Sequence, residues 1–140
     1  VSTLEGKVKD AVKALLNAFD IISAAKAGSF PETAQGWFFM PSQNGYGVKG
    51  VPDFVGHHKG RFFAVETKAP GKKATGFQAL QINAINTAGS VCFVIDGDLG
   101  ELNAWLRAGL RPALNAKNCA MMRVTPIGEC RRFNTSENGP

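Results

Sequence analysis

Two short apolar runs around a single turn constrain this chain most. They are G-V-P-D-F-V at 50–55 and R-F-F-A-V-E-T-K at 61–68, separated by G-H-H-K-G. Aromatic and β-branched residues on both sides of a Gly-containing turn specify a β-hairpin, with strands over 51–55 and 61–68. A turn centred on His58–Lys59 pairs Gly56 with Arg61 and sets Asp53 opposite Ala64. Residues two apart on a strand share a face. Asp53, Ala64, Glu66 and Lys68 then point one way, and Phe63 and Val65 the other. Pro52 has no N–H to donate, so the first strand lies near an edge or starts late.

The flanking sequence supplies helices. Leu4, Val8, Ala11, Val12, Leu15, Leu16 and Phe19 recur at helical spacing within a segment read as helical from Leu4 to Ala25. Trp37–Met40 reads as a strand closed by Pro41, and Ser42–Gly47 as a Gly-rich loop. Residues 75–88 form a second helix, capped by Thr75 and stopped by Gly89, with Phe77, Leu80, Ala84, Ile85 and Ala88 on one side. Val91–Ile95 is a buried strand, and 98–108 a third helix that turns Leu102, Trp105 and Leu106 inward, with Asp96 and Asp98 as candidate caps. A further strand is expected at 121–126. The order is helix, three strands, helix, strand, helix, which gives an α/β chain with a mixed central sheet. No GxGxxG follows a strand, which excludes a dinucleotide-binding Rossmann unit. Residues 1–133 read as one domain and 134–140 as a flexible tail.

Composition narrows the class. With 44 % hydrophobic residues the chain is too apolar to be disordered. Sixteen Lys and Arg against eleven Asp and Glu leave a net charge of +5, a balance that suits a polyanionic partner without naming it. No apolar run of membrane-spanning length occurs, and the N-terminus lacks a signal-peptide pattern. Cys92, Cys119 and Cys130 are odd in number and form no CxxC, so they fit a reducing compartment better than a disulfide framework. His57 and His58 are adjacent, so on a strand they face opposite ways and chelate poorly.

Two carboxylates on one sheet face repel unless a cation separates them, and oxygen-only ligands suit Mg²⁺ or Mn²⁺. The plain alternative is a hairpin with charges on its wet face, which the apolar character of both strands weakens. Glu5 adds a third acid, because it falls in the arc of Val8, Val12, Leu16 and Phe19 on the first helix. It either answers the helix dipole or packs over the sheet towards the same cation.

Taken together, G-V-P-D at 50–53 and G-R-F-F-A-V-E-T-K at 60–68 resemble the PD-(D/E)XK nuclease signature. The ordered set of Lys72, Lys73, Thr75, Gln78 and Ala88–Gly89, with Asn44–Gly45 and Glu5 upstream, is similar to the VRR-NUC branch over residues 4–96. Thr67, β-branched but polar, stands between the Glu and the Lys, where an apolar or β-branched residue is usual, a minor departure. The resemblance implies a restriction-endonuclease-like core ordered α-β-β-β-α-β. It implies catalysis by Asp53, Glu66, Lys68 and Gln78. The metal would be held by Asp53, Glu66, the Thr67 carbonyl and Glu5, with the Thr67 side chain of little consequence. DNA contacts would come from Asn44, Tyr46, Lys49, Lys72, Lys73 and Thr75, with Lys59 and Arg61 as further candidates for backbone phosphates. A stand-alone bacterial or phage member of this branch would act in the cytoplasm as a homodimer on four-way DNA junctions, because such a junction offers two symmetry-related cuts. A flap or restriction-type nuclease, or a non-catalytic nucleic-acid-binding protein on the same fold, are the other readings.

Overall fold

The computed structural model describes residues 2–109, 123–124 and 130–131. The chain divides into two compact units, Val1–Leu110 and Arg111–Pro140. Within the second unit two short strands, β6 (Arg123–Val124) and β7 (Cys130–Arg131), pair antiparallel. β6 falls inside the stretch expected as a strand at 121–126. The tail expected at 134–140 lies outside the described residues.

The first unit opens with α1 (Leu4–Ala18), started by Thr3, whose hydroxyl accepts the Gly6 N–H at 2.9 Å. The helix stops well before the expected Ala25. Asp20 adopts a left-handed conformation (φ 56°), which Asp tolerates better than most residues and which turns the chain out of the helix. The β-branched Ile21 and Ile22 then form an additional strand, β1 (Ile21–Ser23), followed by a short 3₁₀ turn at Ala24–Lys26. Next come β2 (Gly36–Phe39), β3 (Phe54–His58), β4 (Arg61–Thr67), α2 (Gly76–Thr87), β5 (Val91–Ile95) and α3 (Gly100–Ala108). Four strands rather than three therefore precede α2.

The sheet order is β1-β2-β3-β4-β5. β1 with β2 and β4 with β5 run parallel, while β2–β3 and β3–β4 are antiparallel, which makes the sheet mixed. Strand β3 sits at the centre and begins late, so Pro52 never has to donate to the ladder. One face carries Phe38, Phe54, Phe63, Val65, Phe93 and Ile95, which form a core with Val8, Val12 and Leu16 of α1 and Leu102 and Leu106 of α3. Trp105 packs against Phe63 and Phe93, as its helical spacing led one to expect.

The hairpin register differs from the expected one. His58 pairs with Arg61 and Phe54 with Val65. The turn is the two residues Lys59–Gly60, both at positive φ (50° and 79°), and both histidines belong to β3. Two-residue hairpin loops favour this pair of left-handed conformations because they match the twist of the strands. The slip is two residues, so every side chain keeps its face. Its consequence is that the register, continued by one residue, sets Asp53 opposite Glu66 instead of Ala64.

Helix α2 also differs from expectation. Phe77 and Leu80 point outward, 58 % and 66 % exposed, and the half-buried side carries Gln78, Ala79, Gln81, Ile82 and Ile85. Among the described residues no helix is long and apolar enough to cross a membrane.

Candidate active site

The end of the hairpin away from its turn gathers the ionisable groups. Asp53 lies just before β3 and Glu66 near the end of β4, and they are only 8 % and 2 % exposed. Buried carboxylates need partners. Asp53 Oδ2 accepts two hydrogen bonds from Thr67, from the backbone N–H at 2.9 Å and the hydroxyl at 2.6 Å. The Thr67 side chain thus contributes directly, contrary to the expectation that only its carbonyl would matter. A hydroxyl beside an acid is a short, strong donor, and an apolar residue there would leave Asp53 one bond poorer.

Glu66 is held from two sides. Gln78 Nε2 donates to Glu66 Oε1 at 2.8 Å, and Lys68 Nζ stands 3.7 Å from the same oxygen. Gln78 is itself fixed at the start of α2. Its Oε1 accepts the Thr75 N–H at 2.9 Å, while the Thr75 hydroxyl accepts the Gln78 N–H, a reciprocal capping box. One side chain therefore caps a helix with its oxygen and holds the acid with its nitrogen. This anchoring explains the rotation of α2: turning Gln78 to the sheet turns Phe77 and Leu80 to solvent.

The electrostatics follow from this crowding. Burial, and then the charge of Asp53, push the Glu66 carboxyl up to about 7, against the opposing pull of Lys68. Glu66 therefore shares its proton with solvent around neutral pH, which relieves its repulsion with Asp53. Cys92, on the parallel neighbour strand opposite Ala64, is raised to about 11 by burial and by the Glu66 charge, so its thiol stays protonated.

Glu5 does not touch either acid. It pairs with Lys9, one turn along α1, at 3.1 Å, and the same ammonium lies 3.7 Å from Asp53 Oδ1. Burial works against the Lys9 charge, but the hydrogen bond to Glu5 and the charges of Asp53, Glu5 and Glu66 outweigh it and raise the pKa. Sequence reasoning passed over Lys9. Its signal was the favourable Glu-to-Lys spacing of four along a helix, on the flank of the buried stripe.

Of the residues expected to contact DNA, Lys49 and Thr75 lie at the first turn of α2. Asn44 is a turn former, its Oδ1 accepting the Tyr46 N–H at 3.1 Å, and Tyr46 is 95 % exposed. Lys49 lies over the Phe77 ring, 5.4 Å from its centroid. This loop is stitched to α2 at Gly50, where a Cβ would overlap the Phe77 carbonyl and φ is 78°. Lys72 and Lys73 are exposed on the β4–α2 loop, and Thr75 is a helix cap. Arg61 is not a free phosphate ligand: it stacks 4.1 Å above Trp105 and donates to the Trp105 carbonyl at 3.1 Å. His57 is exposed and His58 buried, on opposite faces. Asp98 accepts the Gly100 N–H at 2.8 Å at the start of α3.

The donor set fits a hard divalent cation in its chemistry. Asp53 Oδ1 and Glu66 are carboxylate oxygens, without competing sulfur or imidazole ligands on the same acids. Among the described residues, however, no three His, Cys, Asp or Glu side chains converge closely enough to cage an ion, and Glu5 is engaged by Lys9. No family model matches this chain, and neither a curated protein nor a solved structure matches it.

Proposed function

We propose that the chain is a metal-dependent nuclease that hydrolyses phosphodiester bonds, with Asp53 and Glu66 binding Mg²⁺ or Mn²⁺. The observation that carries this reading is the meeting of two buried acids, Lys68 and Gln78 at one end of the β3–β4 hairpin. A core built for stability alone gains nothing from two buried acids whose charges oppose each other. A divalent cation bound there would polarise the scissile phosphate and lower the pKa of a bound water. Lys68 would orient that water and stabilise the charge developing on the phosphate. Gln78 holds Glu66 in a single orientation, and the Thr67 carbonyl and Glu5, directly or through water, would complete the ligand shell. Lys49, Lys72 and Lys73 would contact backbone phosphates without reading sequence.

The finer reading follows the sequence resemblance. The five-stranded mixed sheet and its helices are compatible with a PD-(D/E)XK core of the VRR-NUC type. On that reading the chain is a cytoplasmic enzyme of a bacterial cell or a phage-infected host, acting as a homodimer on four-way DNA junctions. The test is to incubate labelled four-way junction, flap and linear duplex DNA with Mg²⁺ or Mn²⁺ and with EDTA. Metal-dependent cutting confined to the junction is the expected result. Cutting of flaps or linear duplex instead would assign a flap or restriction-type nuclease. Binding without cutting under any metal would overturn the enzyme and leave a nucleic-acid-binding protein.

A further inference from the structure

Of the two oxygens of Asp53, only Oδ1 is available to an incoming cation, since Oδ2 already accepts two bonds from Thr67. That remaining oxygen is the one that faces Lys9, at 3.7 Å. The Lys9 ammonium also bridges to Glu5 at 3.1 Å, so a single positive charge links acids from α1 and from the approach to β3. The two contacts are unequal. Glu5 is on the same helix, one turn away, so its pairing with Lys9 persists whatever happens at Asp53. The Asp53 contact is longer and joins separate elements, and it is the one that breaks first. The Lys9 side chain keeps 30 % of its surface exposed, which leaves it room to swing.

We propose that Lys9 is the resident counter-ion of this site: its ammonium, shared between Glu5 and Asp53, offsets one of their two negative charges in the metal-free protein and must leave Asp53 Oδ1 when a divalent cation binds there. The inference rests on the metal-dependent reading above and adds a regulation of the same site. Lys9 sets the metal affinity by competing for one oxygen. It also explains why Glu5 stands apart from Asp53 and Glu66: the lysine holds it. After displacement Lys9 remains tethered to Glu5, one side chain from the metal, so its charge weakens the binding of the metal throughout.

The experiment is calorimetric titration of the full chain with Mn²⁺ in the absence of nucleic acid, comparing the unaltered protein with Lys9→Met and Lys9→Arg. Lys9→Met should bind roughly tenfold more tightly, the effect of removing one charge a few ångströms from a dication in a partly solvated site. Lys9→Arg keeps the charge and should bind within about twofold of the unaltered protein. Lys9→Gln, checked for folding by circular dichroism, gives the same measurement if the Met variant does not fold. Equal or weaker Mn²⁺ binding by the neutral variants, with the unaltered protein binding normally, overturns the role of Lys9 and leaves the metal site intact. Failure of every form to take up Mn²⁺ overturns the metal reading and this inference with it.

Discussion

Glu66 and His58 make opposite contributions to the pH dependence of stability, and each has a physical cause. Glu66 has a folded pKa near 7, against 4.5 for an ordinary Glu, so in the absence of metal the folded state binds a proton that the unfolded state has released. Stability from this group is complete below pH 4.5 and is lost as the pH climbs through about 7. Glu66→Gln should therefore abolish cutting and yet, in EDTA at pH 8, melt at a higher temperature than the unaltered protein, by about 1–3 kcal/mol in stability. A lower melting temperature there would show that Gln78 and Lys68 compensate the charge fully. His58 is 1 % exposed, wedged between Phe19 and Trp105, with Nδ1 lacking a partner. Burial, and then the charges of Lys59, Arg61 and His57, lower its pKa below 6.5. The unfolded state then takes up a proton that the folded state refuses, and stability falls as the pH drops below about 6.5. His58→Phe should flatten the acid limb of a melting-temperature profile between pH 7 and 5; an unchanged limb would place the acid sensitivity elsewhere.

At the scale of elements, the site depends on how α2 is started. The Thr75–Gln78 capping box and the Gln78–Glu66 bond share one side chain, so helix capping and acid placement are coupled. Thr75→Ala should cost about 1 kcal/mol of stability. It should also lower the cutting rate more than that loss explains, because Gln78 is released from its cap. Equal activity per folded molecule would show that Glu66 holds Gln78 without the cap. Gly50 joins the loop bearing Asn44, Tyr46 and Lys49 to the same first turn of α2. Gly50→Ala combines a left-handed backbone with a clash against the Phe77 carbonyl, so a destabilisation of about 2 kcal/mol or more is expected in urea unfolding. The exchange of an expected α1 ending at Ala25 for a helix, a left-handed Asp20 and a strand was written in Ile21–Ile22. The longer apolar periodicity masked it, since short β-branched runs suit either period.

For the whole first unit, one sheet face is covered by α1 and α3, while the other presents Trp37, Phe39, Phe62 and Val94 with α2 lying beside β5. These exposed side chains, with Phe77 and Leu80, are where the proposed homodimer would pair. Light scattering coupled to size exclusion should find a species of twice the 14.9 kDa chain mass. A monomer at micromolar concentration would remove the homodimer from the proposed function. Binding to DNA, if carried by phosphate contacts from Lys49, Lys72 and Lys73, should weaken steeply with salt and alike for unrelated sequences. Salt-insensitive or sequence-dependent binding in a fluorescence titration would assign those lysines another role.

By itself the sequence pointed to Asp53, Glu66 and Lys68 as neighbours at one end of the hairpin. Period-two alternation survives a two-residue error in the turn, so Glu66 keeps its face within β4, while Asp53, just before β3, is placed by its two bonds from Thr67. It also determined Thr75 as a cap and Leu102, Trp105 and Leu106 as core, because caps and apolar stripes are local. Tertiary structure decided the rest. The positive φ angles of Lys59 and Gly60 set the register that brings Asp53 opposite Glu66. The anchoring of Gln78 set the rotation of α2 against its own apolar arc. The meeting of α1 with the hairpin placed Lys9 beside Asp53 and kept Glu5 from it. The last two depend on contacts between residues far apart in the chain, and such contacts leave no periodicity to read.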